Sequence, residues 1–433
     1  MRSFVVLAVA ASVVAAPLAA GAGRAAPAGS GWTRISGPTQ PGNQLGLART
    51  PDGVLHVVWN RGATPTSIFE TRLSSSGKPA GTSTVASGFA GNGGLALLVM
   101  PDRTLRLLAA GAAHPSSTVH GITTFTSPEH GGAWTPQPDA SWGGPVAEAS
   151  AVIGATLTRD GQPATAWRGF AAEGLPPASI PQNPFVLDQT ASHLATDAAS
   201  GAVVLAGVTI AGKGGVFVRK VIPSLGPKVV LPLPTVSNDW DNGLSGRIGA
   251  PGVYLAYADG KAAYLYRYGG SSKTLGRGAF TSATVCAGPE GRLWVAWGDT
   301  ADGLFVTRSN RAASAFEPMQ KLRAPSGSGL TYLQCEGSAG PVDLFADSGG
   351  FFHAHLLAQL TLSARATKTT VTVSVRDAGD PVAGAAVTVG GRHVTTAANG
   401  QATVTLPPGS YSATAIAPGY ASAATRVSVV SVR

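Results

Sequence analysis

Apolar and polar positions alternate with period two in short bursts along most of the chain, and the bursts come in pairs. The clearest pair is Ser282 to Trp297, SATVCAGPEGRLWVAW: a short apolar strand, a tight Pro-Glu-Gly turn, and a second strand alternating small and large apolar residues. Versions of it recur as LGLARTPDGVLHVVW ending at Trp59, GLALLVMPDRTLRLLAAG ending at Gly111, and SAVIGATLTRDGQPATAW ending at Trp167. Three more are HLATDAASGAVVLAG ending at Gly207, LSGRIGAPGVYLAY ending at Tyr257, and LTYLQCEGSAGPVDLFAD ending at Asp347. Aligning the turns puts Gly53, Arg103, Gly161, Gly201, Gly252, Gly291 and Gly340 in one seat. Glycine is favoured there because a tight two-strand turn requires positive φ, which costs a residue with a Cβ more.

A third alternating stretch follows most copies, for example SIFETRL at 67–73, GVFVRKV at 215–221 and FFHAHLL at 351–357. Shorter strand-like pieces such as KVVLPL (228–233) and FEPMQKL (316–322) come next. The unit is thus a meander of three to four strands whose turns recur at intervals of 39 to 58 residues. One such meander cannot bury both faces, so the copies must stack round a common axis, and the period is that of propeller blades. Helical solenoids share such periods, but the spacing here is two, not 3.6. The expectation is an all-β protein: a β-propeller of seven blades over residues 31–362, followed by a small C-terminal β-sandwich over 366–433. The isolated strand around Trp32 is placed to complete the last blade and close the ring.

Ser127-Pro128-Glu129-His130-Gly131-Gly132-Ala133-Trp134 resembles the Asp box of sialidase-like (BNR-repeat) propellers, whose pattern is Ser-x-Asp-x-Gly-x-Thr-Trp. Glu replaces the Asp and Ala the Thr, and Ser309 to Phe316 keeps only the Ser and the terminal aromatic. The resemblance implies a turn between the two outer strands of a blade, remote from any active centre. A true sialidase would need an arginine triad, a Tyr–Glu nucleophile pair and an Asp acid. The family's Arg-Ile-Pro signature is replaced by Arg34-Ile35-Ser36. Arg49, Arg247, Glu148 and Tyr332 lie near the expected starts of first strands, where central residues would converge, but no spacing ties them together.

From Ala366 the rhythm changes. Strict alternation from Thr369 to Val375 leads into Pro381-Val382-Ala383-Gly384-Ala385, then Asn399-Gly400, then Pro407-Pro408-Gly409-Ser410-Tyr411. These elements, in this order, resemble a carboxypeptidase regulatory-like (transthyretin-like) β-sandwich. That resemblance implies a structural or adhesive accessory domain without peptidase activity. Related adhesin modules form Lys–Asn isopeptide bonds; Lys368 offers an amine, but the last strand, ATRVSVVSV, has no Asn or Asp, so no crosslink is expected.

Composition agrees with many short strands: 57 Gly, 31 Pro and 12% charged residues do not suit long helices. Residues 1–28 read as an export signal, with Arg2, an apolar run from Phe4 to Ala20, and small residues at Ala20-Gly21-Ala22. No later apolar run is long enough for a membrane helix. The mature protein is therefore expected to be secreted. Its formal net charge of +9 is spread over scattered arginines without a basic run. That argues against a nucleic-acid partner and for weak attraction to an anionic glycan or cell-wall polymer.

Cys286 and Cys335 hold equivalent positions in adjacent repeats, five residues before the turn glycine. In an oxidising space they are expected to pair, although equivalent strands of neighbouring blades have to lie close enough to be bridged. His353 and His355 share one strand face, a spacing that suits chelation, but no third ligand accompanies them. Asn238-Asp239-Trp240-Asp241-Asn242-Gly243 opens like a calcium loop and lacks the closing carboxylate. Neither a metal nor a cofactor is expected. Loops leading into first strands and loops joining second to third strands emerge on one face of a propeller. That face would carry Trp142, Asp239, Trp240, Asp241, Asp299 and Asp302. Aromatic planes beside carboxylates suit sugars. A non-catalytic binding or adhesion protein is the favoured expectation; an exo-glycosidase and a protein-interaction scaffold are the alternatives.

Overall fold

The computed structural model describes residues 31–37, 44–61, 66–89, 94–111, 121–137, 154–167, 169–172, 189–209, 215–231, 243–299, 303–325, 330 and 332–430. Within these the chain is built of strands: a ring of antiparallel sheets, then a two-sheet sandwich. Seven sheets stand round the ring among the described residues. The first consists of Gly46–Arg49, Leu55–Arg61, Thr66–Leu73 and Pro79–Phe89. The sixth, built on the clearest repeat, consists of Ser282–Ala287, Leu293–Asp299, Gly303–Arg308 and Gln320–Leu322. The third has three strands, and its last, Gly169–Ala172, is not visible in the sequence because Gly-Phe-Ala-Ala does not alternate.

The innermost strand of each sheet touches the innermost strand of the next, and that of the seventh returns to that of the first. Small residues allow this approach. A Cβ on Gly154 would lie 2.8 Å from the backbone of His193, and one on Gly246 would lie 2.2 Å from the carbonyl oxygen of Thr196. The ring is fastened by the expected device: Thr33–Arg34 pairs with Phe351–Leu356 as the outer strand of the seventh sheet, placing Thr33 opposite His353. The Trp32 indole adds a bond to the Arg323 carbonyl at 2.8 Å.

All seven shared turn seats have positive φ, from 70° at Arg103 to 112° at Gly340. In three of the sheets the second strand presents its large aromatic to one on the third strand directly opposite. Trp59 stacks on Phe69 at 4.7 Å, Tyr257 on Tyr264 at 5.0 Å and Trp297 on Phe305 at 5.9 Å. These pairs, with the valines and leucines beside them, fill the spaces between neighbouring sheets.

The sandwich consists of one sheet with Thr361–Thr367, Thr370–Asp377, Asp380–Pro381 and Gln401–Thr405, and a second with Arg392–Thr395, Ala386–Val389, Gly409–Ile416 and Ala423–Val429. Its inward valines and alanines form one core, from Val371, Val373 and Val375 across to Val387, Ala413 and Val427. Its first strand begins at Thr361, five residues before the composition changes, and pairs along its whole length with the next.

Candidate functional site

The strand ends fix two sides of the ring. One carries the turns between first and second strands and between third and fourth. The other carries the connections into first strands and between second and third strands. Trp142, Asp239, Trp240, Asp241 and Asp302 belong by sequence to that second side and lie outside the described residues. Asp299 is described: it ends the second strand of the sixth sheet opposite Gly303 and is buried. The same step of the repeat, two residues past the large aromatic, is Asp259 in the fifth sheet and Asp347 in the seventh. Asp259 closes its hairpin by accepting from the Lys261 and Ala262 backbone N–H groups at 2.9 and 2.8 Å and from the Tyr264 hydroxyl at 2.9 Å. Partial burial pushes against its charge, but these donors outweigh it and lower its pKa. Asp347 accepts from the Gly350 N–H at 3.1 Å. Carboxylates at this step thus tie second strands to third.

Of Arg49, Arg247, Glu148 and Tyr332, the three that are described do not converge near the axis. Arg49 and Arg247 end their first strands, whereas Tyr332 begins one, so the arginines sit on the turn side and the phenol on the other. Glu148 lies outside the described residues. Arg247 donates to the carbonyls of Gly291 at 2.6 Å, Pro251 at 2.9 Å and Arg311, joining the fifth sheet to the sixth. Tyr332 is buried, its hydroxyl donates to Gln334, and burial pushes its pKa upward. Among the described residues, Tyr332 is thus paired with an amide and not with a glutamate.

Arg49 bridges the ring closure. It donates to Glu336 at 2.6 Å, to Asp343, and to the Gly53 carbonyl at 2.8 Å. His353 Nε2 and His355 Nδ1 both reach the same Asp343 oxygen, at 2.7 and 2.9 Å. The carboxylate can only accept, so both ring nitrogens carry protons there. Burial raises the Asp343 pKa, yet the two imidazole bonds and charges win and hold it at about 2. The two-histidine strand is therefore a carboxylate clamp.

A second polar chain joins the first and second sheets. His56 Nδ1 lies 2.6 Å from Glu70 and its Nε2 lies 3.1 Å from the Thr50 hydroxyl, the connectivity of a nucleophile relay. All three side chains are buried, and the Thr50 hydroxyl also contacts Asp52 at 2.6 Å, so no nucleophile is presented to a substrate. Instead Glu70 receives the Asp-box-like segment, the Gly132 N–H at 2.7 Å and the Trp134 indole at 3.1 Å, beside the Ser83 hydroxyl of its own sheet at 3.0 Å. That segment lies between the third and fourth strands of its sheet, as the resemblance implied. Ser309 and Phe316 form a bridge at the matching place in the sixth sheet.

Cys286 and Cys335 are joined by a disulfide, their Cα atoms 5.7 Å apart. Both lie on first strands, which crowd together at the axis; that crowding brings equivalent positions of neighbouring sheets within bonding range.

The third polar cluster, between ring and sandwich, was not visible in the sequence. Asp377, fully buried, accepts from Arg308 at 2.6 Å and the Tyr420 hydroxyl at 2.9 Å, and Arg292 lies in ion-pair range at 2.9 Å. Asp380 accepts from Arg292 and from the Arg311 backbone N–H at 2.9 and 2.8 Å. Glu290 holds Arg292 and Arg311, each at 2.7 Å. The Arg308 guanidinium is sandwiched between Trp294 of the sixth sheet, 5.3 Å away, and Tyr420 of the sandwich, 5.0 Å away. Nearby, buried Glu317 accepts from the Gln359 N–H at 2.7 Å, and burial pushes its pKa up to about 8.

Residues 370–432 match the model of the carboxypeptidase regulatory-like domain. No curated protein matches the chain in sequence. Among solved structures, the BP39L lectin from Burkholderia pseudomallei superposes with a TM-score of 0.51 at 11% identity, covering 83% of this chain and 100% of the lectin. Virginiamycin B lyase from Staphylococcus aureus gives 0.43 at 9% identity, covering 75% and 100%. The Aleuria aurantia lectin gives 0.41 at 9% identity, covering 82% and 96%. The chain is thus an all-β protein with a propeller-like ring that ends in a carboxypeptidase regulatory-like β-sandwich.

Proposed function

We propose that the chain is an exported, non-catalytic binding or adhesion protein. Its ring recognises a glycan or another cell-surface ligand on the side of the connections into first strands. The observation that carries this reading is the seat of the sandwich. Its ion pairs to the ring run to Arg292 and Arg308, and a further hydrogen bond comes from the Arg311 backbone N–H, all at the turn side of the sixth sheet. The opposite side, to which Trp142, Asp239, Trp240, Asp241 and Asp302 belong, is left to meet a ligand. A lectin that shares the fold agrees with a sugar there. The disulfide agrees with an oxidising location, and Ser127–Trp134, seated on Glu70, supports sialidase-like ancestry for the ring.

The test is a glycan array probed with the full chain and with Trp142→Ala and Trp240→Ala, beside an assay for fluorophore release from sialosides and other glycosides. Binding that weakens at least tenfold in one variant, without release, is the expected result. Unchanged binding in both variants, or turnover, overturns it.

A further inference from the structure

We propose that the outer face of the sandwich's first sheet is a second binding surface, for a linear polysaccharide bearing carboxylates. This site is independent of the ligand side of the ring. Charge carries the inference. Across residues 361–430 the chain has five basic side chains, Arg365, Lys368, Arg376, Arg392 and Arg426, and only two acids, Asp377 and Asp380. Both acids are turned toward the ring and neutralised there by Arg292 and Arg308. Docking therefore pairs both acids of this stretch with ring arginines, burying Asp377 fully and Asp380 in part.

Register places part of the remaining positive charge on one face. In the first sheet Val371, Val373 and Val375 point into the core, so the alternate positions point outward. Arg365, Thr372 and Thr403 form one outward row across three strands. The rows on either side are composed of Ser, Thr and Gln alone. Arg376 follows at the ring end of the face, and exposed Lys368 sits on the turn at the other end. Arg365 and Arg376 are thus separated by about 13 Å along the strands, four residues at strand rise. No acid interrupts them. Guanidinium forks pair with planar carboxylates, and the exposed Ser363 hydroxyl and Gln401 amide between them can exchange hydrogen bonds with sugar hydroxyls. A chain with regularly spaced carboxylates matches both features; a neutral glycan matches only the second.

The experiment measures binding of the full chain to polygalacturonate, to its fully methyl-esterified form and to polyphosphate, at low and moderate salt. Arg365→Ser/Lys368→Ser and Trp240→Ala are run alongside, with thermal melting as the folding control. The expected result is salt-sensitive binding to polygalacturonate that drops at least tenfold in the double variant and on esterification. Trp240→Ala should leave it unchanged. Equal binding of the esterified polymer, binding of polyphosphate alone, no loss in the folded double variant, or loss in Trp240→Ala each overturns the proposal. If the double variant does not fold, Arg365→Gln decides in its place by the same readout. Failure here leaves the glycan-array result on the ring untouched, and the reverse holds equally.

Discussion

Arg308 of the sixth ring sheet places its Nη2 atom 2.6 Å from Oδ2 of Asp377, across the junction between ring and sandwich. Both side chains are buried, so neither charge has water to fall back on. Removing one partner from such a pair costs roughly 3–5 kcal/mol, because the other is left uncompensated. Arg308→Ala should lower the melting temperature and split a single calorimetric transition in two, as the sandwich is released from the ring. Proteolysis between Leu356 and Thr361 should accelerate in parallel. A variant that still melts once, at the wild-type temperature, would show that the junction is held without Arg308, by Arg292 and the other contacts across it.

Glu317 gives the same junction a pH dependence. Its pKa rises from an ordinary carboxyl value to about 8 because burial disfavours the charge. The charged groups acting on it are Arg308, which favours ionisation, and Asp377, which opposes it. The folded state therefore keeps a proton that the unfolded state releases above the usual carboxyl range. That contribution is fully present below about pH 4.5 and is lost as pH rises through 8, a difference of a few kcal/mol. Urea midpoints should fall from pH 5 to pH 9, and Glu317→Gln should flatten that slope. An unchanged slope in the variant rules out Glu317 as its source.

Backbone architecture was more readable from the chain than side-chain partnership. Period-two bursts and the glycine seats predicted the meander, and the lone Trp32 strand predicted the closure, because each rests on local backbone requirements. Partnership is not local. Arg49 meets Asp343 from 294 positions away, and Arg308 meets Asp377 from 69 away. A strand pattern says that these side chains alternate, not what faces them. The repeat pattern puts Asp299 on the expected sugar-binding face although it is buried at the end of its strand, because sequence does not distinguish an outward carboxylate from a covered one. The cysteines were the exception: two residues of one reactive type at one repeat position name each other.

The disulfide closes a loop of 49 residues between neighbouring first strands. The chain-entropy model assigns such a crosslink about 4 kcal/mol. Cys286→Ser/Cys335→Ser should reduce the urea midpoint accordingly without altering glycan-array binding. Adding reductant to the unfolded wild type before refolding should give the same midpoint. Equal midpoints for wild type and double variant would overturn this assignment, because the crosslink would then not limit the freedom of the unfolded chain to any net effect.

At the ring closure, too, one ionised carboxylate organises several donors. Asp343 accepts from Arg49, His353 and His355, and its pKa is held at about 2, below the ordinary aspartate value. Here the sign is opposite to that of Glu317. The folded state favours the charged form, so the stabilisation is complete above about pH 4 and disappears as pH falls through 2. Asp343→Asn keeps the shape and removes the charge, leaving a buried guanidinium with only Glu336 as its acidic partner. The variant should lose roughly 2–4 kcal/mol at pH 7 and converge on the wild type near pH 2. Hydrogen exchange should show the loss first in Thr33–Arg34 and Phe351–Leu356, whose pairing fastens the ring and whose strand carries both histidines. Protection lost uniformly over all the sheets would instead place Asp343 in the general stability of the ring and not in its fastening.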